Sequence, residues 1–178
     1  MLNKNFWTLP NIFTFSRLVF GSPVVIWLSY HENVFAAIMF AMFVATDVLD
    51  GLVARHYNLV SELGKRWDPI ADQALVLPIL WFFAFEKNMA LLFWLTPLVL
   101  TIREVWVFFL RSKAQKRGLD ISAHQTGKIK VTFEYIAIFD LLVGGTFFTG
   151  MGYILLGWAL IFAMVSFGYY WVAYMRVD

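Results

Sequence analysis

The sequence has no cysteine and little charge of either sign. The absence of Cys excludes disulfides and thiolate metal sites and leaves the redox compartment undetermined. Lys and Arg total 14 against 12 Asp and Glu, a net charge of +2, which argues against a nucleic-acid binder that relies on bulk charge. Hydrophobic residues make up 61% of the chain and aromatic residues 19%, with a mean hydropathy of +0.70. Such a composition is far more apolar than that of a soluble globular protein, and 178 residues predict one domain, 1–178.

Six apolar segments predict an all-α integral membrane protein with six transmembrane helices. A hydrocarbon core about 30 Å thick requires about 20 apolar residues per helix. The predicted spans are residues 11–30, 34–56, 69–85, 90–110, 129–148 and 153–174, with a kink at Pro78 in the third. Residues 1–10 lack the apolar core of a signal peptide and are expected to form a short interfacial helix.

The distribution of basic residues predicts the orientation of these spans. The turns at 31–33, 86–88 and around Met151 contain one basic residue, Lys87, and the other thirteen Lys and Arg lie at the opposite ends or inside spans. By the positive-inside rule, those ends and both termini face the cytoplasm. We therefore expect a polar cavity on the cytoplasmic side, open to soluble substrate and to lipid. A short chain without a targeting segment fits a bacterial inner membrane.

Four aspartates lie within one short stretch of this apolar chain. Asp47 and Asp50 are three residues apart, and Asp68 and Asp72 are four apart, so each pair shares a face of a predicted helix. Carboxylate oxygens of this kind suit Mg²⁺ or Mn²⁺, which keep further positions for water and substrate phosphates. The pattern therefore predicts a divalent metal site between the second and third helices.

The residues around the first pair fit a phosphate ligand. Gly51 and Ala54 leave room for a phosphate group near the backbone, and Arg55 offers a fork of donors. The alternatives are that Asp68 is an N-cap before Pro69, and that the first pair are counter-ions to Arg55 or Arg17. Each carboxylate at membrane depth costs about 2.5–3.5 kcal/mol, so four together favour a functional site.

A polar stripe opens the first predicted span. Asn11, Thr14 and Arg17 are spaced by three residues and share a helix face. The stripe is interpreted as part of a nucleotide or headgroup pocket. The alternative is a solvated helix end with a snorkelling arginine.

A separate basic group lies further along the chain. Arg103 and Arg111 are eight residues apart on one face of the fourth span, which predicts an anion held between them. An ion pair between Arg103 and its neighbour Glu104 is not expected, because adjacent helical residues face different directions. Lys128 precedes the fifth predicted span and can reach into the cavity. Such a group suits a substrate that carries phosphate.

Two more acidic residues lie in the fifth predicted span. Glu134 follows Lys130 by four residues and is predicted to pair with it. No role is predicted for Asp140. At the end of the sixth span, the aromatic residues Tyr169, Tyr170, Trp171 and Tyr174 are interpreted as an interfacial belt.

The spacing D-x2-D-G-x2-A-R-x8-G-x3-D-x3-D over residues 47–72 resembles the motif of the CDP-alcohol phosphotransferases. These are integral membrane enzymes that transfer a phosphatidyl or similar group from a CDP-alcohol to a hydroxyl acceptor. The resemblance implies two Mg²⁺ or Mn²⁺ ions and a homodimer. It assigns the metal to Asp47, Asp50, Asp68 and Asp72, with Asp72 also the general base. It assigns CDP-lipid contacts to Asn11, Thr14, Gly51, Arg55 and Ser61.

Within that family, the segments 9–17, 102–104 and 127–130 resemble the phosphatidylglycerophosphate synthases. This resemblance implies CDP-diacylglycerol as donor, sn-glycerol 3-phosphate as acceptor and CMP as leaving group, with the acceptor phosphate bound by Arg103, Arg111 and Lys128. Gln73 departs from the pattern, because those synthases usually have Lys there. Inositol phosphate, serine and choline stay open as acceptors. A small membrane cation transporter is the alternative from another class, although residues 1–89 and 90–178 show no related halves.

Overall fold

The computed structural model describes residues 17–56, 62–86, 91–116 and 125–175, with side chains over 19–49, 70–86, 94–114 and 125–175. A π-helical turn at Arg17–Gly21 precedes six α-helices in these ranges, and no strand occurs in them. The helices are α1 (Ser22–His31), α2 (Asn33–His56), α3 (Glu62–Glu86), α4 (Leu91–Lys116), α5 (Gln125–Val143) and α6 (Thr146–Met175). The all-helical prediction is confirmed, and the predicted interfacial segment 1–10 lies outside the described residues.

Three helices include polar segments that lie outside the predicted spans. α3 begins at Glu62 instead of residue 69, and α4 continues to Lys116 instead of ending at 110. α5 begins at Gln125 instead of 129. The added segments are rich in Glu, Lys, Arg, Gln and Ala, which have high helix propensity, so the polar residues beyond each apolar run stay helical.

The turn between α5 and α6 lies six residues before its predicted position. Gly144 and Gly145 have φ of 74° and 79°, in the left-handed region that glycine adopts without steric cost. The predicted turn at residues 150–152 is wrong, since these residues lie inside α6. Gly152 is instead a packing position: a Cβ there would lie 3.0 Å from the carbonyl oxygen of Ala137 and 3.0 Å from Cγ of Leu141. The missing side chain lets α5 and α6 approach closely.

All six helices contribute to one hydrophobic core. Phe40 of α2 meets Tyr135 of α5 edge-on, with ring centroids 6.1 Å apart. The indole Nε1 of Trp81 on α3 donates to Oγ1 of Thr101 on α4 at 3.2 Å. The fully or almost fully buried members of the core include Val25, Ala36, Phe40, Leu75, Ile79, Leu100, Ile138, Leu142, Leu156 and Ala163. The core holds the helices that carry the candidate site residues in one packed unit.

The outer surface is strongly apolar. Large hydrophobic side chains are exposed on every helix, among them Trp27, Phe35, Phe85, Phe109 and Phe147. So many exposed large hydrophobic side chains are unusual for a soluble monomer and fit contact with lipid. Within the described residues, α6 alone has both the length and the apolar composition of a membrane span, with a mean hydropathy of 1.9, and Asn33–Leu49 is a shorter apolar stretch. The other predicted spans stay predictions.

Candidate functional site

The first pair of aspartates lies on a helix that continues past both of them. α2 is helical through His56, which places positions 47, 50 and 51 on one helix face, as the motif spacing requires. The side chain of Asp47 is half-buried, so its carboxylate lies where the protein surface and the interior meet. The side chains of Asp50, Gly51 and Arg55 lie outside the described set.

The second pair lies within α3. Because α3 begins at Glu62, position 68 is well inside the helix, and the interpretation of Asp68 as an N-cap is wrong. The side chain of Asp72 is half-buried. Its neighbour Gln73 is buried, and Oε1 of this amide has no hydrogen-bond partner among the described atoms. A polar side chain is therefore held inside the protein next to the predicted base.

Two of the four predicted metal ligands are among the described side chains. Asp47 and Asp72 are described with their side chains, whereas the side chains of Asp50 and Asp68 are outside that set. Among the side chains that are described, no three His, Cys, Asp or Glu residues group together as a metal site would require. The donors present are half-buried carboxylates on two helices, and such hard oxygen donors fit Mg²⁺ or Mn²⁺. Three predicted CDP-lipid contacts, Asn11, Thr14 and Ser61, fall outside the described residues.

The basic region contains a buried network of charged residues. Arg103 is 7% exposed, and its Nη1 donates to Oε1 of Glu104 at 2.5 Å. The expectation that these neighbours do not pair is wrong, because both long side chains bend toward the same side of α4. The ammonium of Lys130, which is fully buried, also donates to Oε1 of Glu104 and lies 3.1 Å from Oε1 of Glu134. The predicted pair of Lys130 and Glu134 is confirmed.

The two arginines of α4 share one contact on α6. The guanidinium carbon of Arg103 lies 5.8 Å from the ring centroid of Tyr170, and that of Arg111 lies 4.8 Å from it. Nη2 of Arg111 also donates to the hydroxyl of Tyr170. The spacing of the arginines predicted an anion between them, whereas in the structure the ring of Tyr170 lies against both guanidinium groups. The arginines still have spare donors, since Nε of each is buried without a hydrogen-bond partner among the described atoms.

Lys128 is related to the two arginines through its neighbour Gly127, which lies near their shared contact, Tyr170. It is exposed in the first turn of α5. A Cβ added to the preceding residue, Gly127, would lie 3.8 Å from the hydroxyl oxygen of Tyr170. The backbone that carries Lys128 therefore reaches the same tyrosine that contacts Arg103 and Arg111.

Sequence reasoning missed the contribution of α6. Tyr170 was assigned to an interfacial belt, yet it is 2% exposed, whereas Tyr169 and Trp171 beside it are 51% and 42% exposed. Ser166 is fully buried, and its hydroxyl accepts from Nη2 of Arg103 at 2.6 Å. A signal was present, because Ser166 and Tyr170 are four residues apart and so share one face of an otherwise apolar helix.

The described residues form helices with an apolar outer surface. Two of these helices carry aspartate pairs, and a separate buried cluster is basic. These are features of a helical membrane protein that binds charged ligands. The sequence model of the CDP-alcohol phosphatidyltransferases matches residues 7–166, so the chain belongs to the CDP-alcohol phosphatidyltransferase family. Members of this family are membrane proteins and are generally metal-dependent.

Several curated proteins resemble the chain over most of its length. A Rickettsia prowazekii protein named CDP-diacylglycerol--glycerol-3-phosphate 3-phosphatidyltransferase is 32% identical over 147 residues, covering 80% of this chain and 77% of the relative. A Mycoplasma pneumoniae protein of the same name is 29% identical over 200 residues, covering 91% and 85%. A Mycobacterium tuberculosis protein named probable phosphatidylglycerophosphate synthase is 35% identical over 136 residues, covering 73% and 63%.

Proposed function

We propose that the protein is a phosphatidylglycerophosphate synthase, which transfers a phosphatidyl group from CDP-diacylglycerol to sn-glycerol 3-phosphate and releases CMP. The names of the relatives support this reaction. The structural observation that carries it is the pair of guanidinium groups on α4, that of Arg103 buried and that of Arg111 half-buried, each with a buried Nε that has no hydrogen-bond partner among the described atoms. Buried cationic donors of this kind are explained by an anionic ligand, and the phosphate of glycerol 3-phosphate is such a ligand.

The aspartates of α2 and α3 form the donor side of the proposed site. Asp47, Asp50, Asp68 and Asp72 would hold Mg²⁺ or Mn²⁺, two ions by the family resemblance. When bound, the ions supply positive charge that neutralises the diphosphate of CDP-diacylglycerol and makes its phosphorus more electrophilic. Gly51, Arg55 and Ser61, with Asn11 and Thr14 of the first segment, would contact the CDP part of the lipid.

Asp72 is the proposed general base. Its half-buried carboxylate accepts the proton from one of the free hydroxyls of the acceptor. The hydroxyl oxygen forms a bond to the phosphorus that carries diacylglycerol, and the bond from that phosphorus to the bridging oxygen breaks. CMP leaves with the bonding electron pair. The charge of the carboxylate is restored when the proton passes to solvent.

Arg103, Arg111 and Lys128 form the proposed acceptor side. Guanidinium groups bind phosphate through paired N–H donors, and an exposed ammonium adds a point charge at the opening of the site. The partners of Arg103 and Arg111 on α6 leave Nε of both free to donate to the acceptor. Binding the acceptor through its phosphate would present one of its free hydroxyls to Asp72.

The protein would act within a bacterial inner membrane, with six spans and with the site and both termini on the cytoplasmic side. The apolar surface of all six helices supports the spans, and the positive-inside rule supports the orientation. A homodimer is proposed on the family resemblance alone.

The decisive experiment compares acceptors with the purified protein in detergent. CMP release from CDP-diacylglycerol is measured with glycerol 3-phosphate, inositol phosphate, serine and choline side by side. Glycerol, which lacks the phosphate, is the matched control. We expect product with glycerol 3-phosphate and none with glycerol, loss of turnover on chelation, and recovery with Mg²⁺ or Mn²⁺. Product with another acceptor and none with glycerol 3-phosphate would contradict the proposal.

A further inference from the structure

We infer that Tyr170 of α6 is the positioning residue of the acceptor site, through which the two arginines of α4 are held to receive a phosphate-bearing acceptor. The inference rests on the proposed function. Tyr170 contacts both arginines of the proposed acceptor site, and it also lies near Gly127, the residue before Lys128. It is itself 2% exposed and lies on α6, a largely apolar helix outside the aspartate motif.

The contact with Arg111 fixes the direction of that side chain. Nη2 of Arg111 donates to the tyrosine hydroxyl, and the guanidinium carbon lies 4.8 Å from the ring centroid. One contact is a directional hydrogen bond and the other is an attraction between a cation and the face of an aromatic ring. Together they restrict rotation about the long side chain while Nε stays without a partner among the described atoms. The group is held in place with a donor left for a ligand.

Ser166 holds the second arginine in a related way. Its hydroxyl donates to the carbonyl oxygen of Ala163 at 2.9 Å, so its oxygen is oriented to accept from Nη2 of Arg103 at 2.6 Å. Ser166 and Tyr170 are one helical turn apart, and Arg103 and Arg111 are about two turns apart. One face of α6 therefore contacts the face of α4 that carries the two arginines through Ser166 and Tyr170. Of these two residues, Tyr170 contacts both arginines.

Tyr170 also links this pair of helices to α5. Its hydroxyl oxygen would be 3.8 Å from a Cβ at Gly127, an ordinary van der Waals distance, so the start of α5 lies close to the phenol. Lys128 follows directly and is exposed at the start of α5. A change at the tyrosine hydroxyl is therefore expected to alter acceptor binding and to leave the donor side, on α2 and α3, unaffected.

Tyr170→Phe is the test, because it removes the hydroxyl and keeps the ring. A hydrogen bond to a charged group accounts for roughly ten- to hundredfold in binding, so we expect the KM for glycerol 3-phosphate to rise at least about tenfold. The kcat and the KM for CDP-diacylglycerol are expected to stay within about twofold. Tyr169→Phe, the same change at the exposed neighbouring position, is the matched control and should leave all three constants unchanged.

A double-variant cycle separates positioning from a general structural effect. If Tyr170 acts through Arg111, adding Tyr170→Phe to Arg111→Gln raises the acceptor KM much less than it does in the wild-type background. Additive effects, an unchanged acceptor KM in Tyr170→Phe, or an equal change in kcat and in both KM values would overturn the inference.

Acceptor choice in the wild type distinguishes this inference from the proposed function. If the wild type uses inositol phosphate instead of glycerol 3-phosphate, the proposed reaction fails, and the KM comparison is made with inositol phosphate. Tyr170 is then supported or rejected on that measurement. A wild type that uses only a phosphate-free acceptor such as serine would overturn both.

Discussion

The ammonium of Lys130 on α5 donates to the carboxylate of Glu104 on α4, and this contact joins the two helices beside Arg103. The ammonium is fully buried and lies 3.1 Å from Oε1 of Glu134, which is also fully buried. Arg103 completes the network by donating to the same oxygen of Glu104. Two cations are thus balanced by two carboxylates, and the loss of any one member leaves an uncompensated charge inside the helix bundle.

Lys130→Met is expected to destabilise the protein strongly. It removes the cation shared by Glu104 and Glu134, and breaking a buried ion pair from one side costs about 3–5 kcal/mol. The measurement is the free energy of unfolding in detergent. Lys128→Met is the control, because this lysine is exposed two residues earlier on the same helix and its loss should change stability by less than about 0.5 kcal/mol. Equal stability of the two variants would show that the network contributes little.

A second variant checks the origin of that loss. Combining Lys130→Met with Glu134→Leu removes one charge of each sign, and Glu104 keeps Arg103 as its partner. The double variant is expected to be more stable than Lys130→Met alone, because the unpaired carboxylate of Glu134 is gone. If the double variant is less stable than the single one, packing of the lysine stem matters more than charge balance.

Asp72→Asn is expected to keep binding of CDP-diacylglycerol and to lose turnover. The amide has nearly the same shape as the carboxylate but cannot take up the proton of the acceptor hydroxyl, and loss of a general base lowers kcat by about 10²–10⁴-fold. Lipid binding and CMP release are measured on the same preparation. Glu86→Gln removes a carboxylate from the exposed opposite end of α3 and should retain wild-type turnover. Full activity of Asp72→Asn would exclude Asp72 as the base.

Hydrophobic periodicity was enough to predict six helices, but it misplaced several of their ends. It could not distinguish the two glycine segments near the last turn. Gly144 and Gly145 form the turn with positive φ, whereas Gly152 lies inside α6 against α5. Glycine serves both purposes, and only the approach of another helix decides between them. The polar starts of α3 and α5 likewise lie outside the predicted spans, because they contain few apolar residues.

The sequence predicted the basic residues of the candidate site but not what holds them. The spacing of Arg103 and Arg111 on one helix face follows from local periodicity. Their partners Ser166 and Tyr170 are about 60 residues away in the chain and are brought to them only by packing of α6 on α4. An aromatic residue near the end of an apolar helix is typical of a membrane interface, so its position alone predicted that Tyr170 is exposed. The four-residue spacing from Ser166 was the one local sign of a shared polar face.

Gly152→Ala is expected to destabilise the packing of α5 on α6. The new methyl group would lie 3.0 Å from the backbone oxygen of Ala137, which cannot move independently of α5, so we expect a loss of about 1–3 kcal/mol. Gly157→Ala is the matched control in the same helix: nothing lies within 4 Å of its added Cβ, and higher helix propensity should stabilise it by up to about 1 kcal/mol. Unfolding in detergent measures both variants. If Gly152→Ala is as stable as the wild type, the two helices can move apart at little cost. Close approach at this position would then not be what keeps α6, and with it Ser166 and Tyr170, in place.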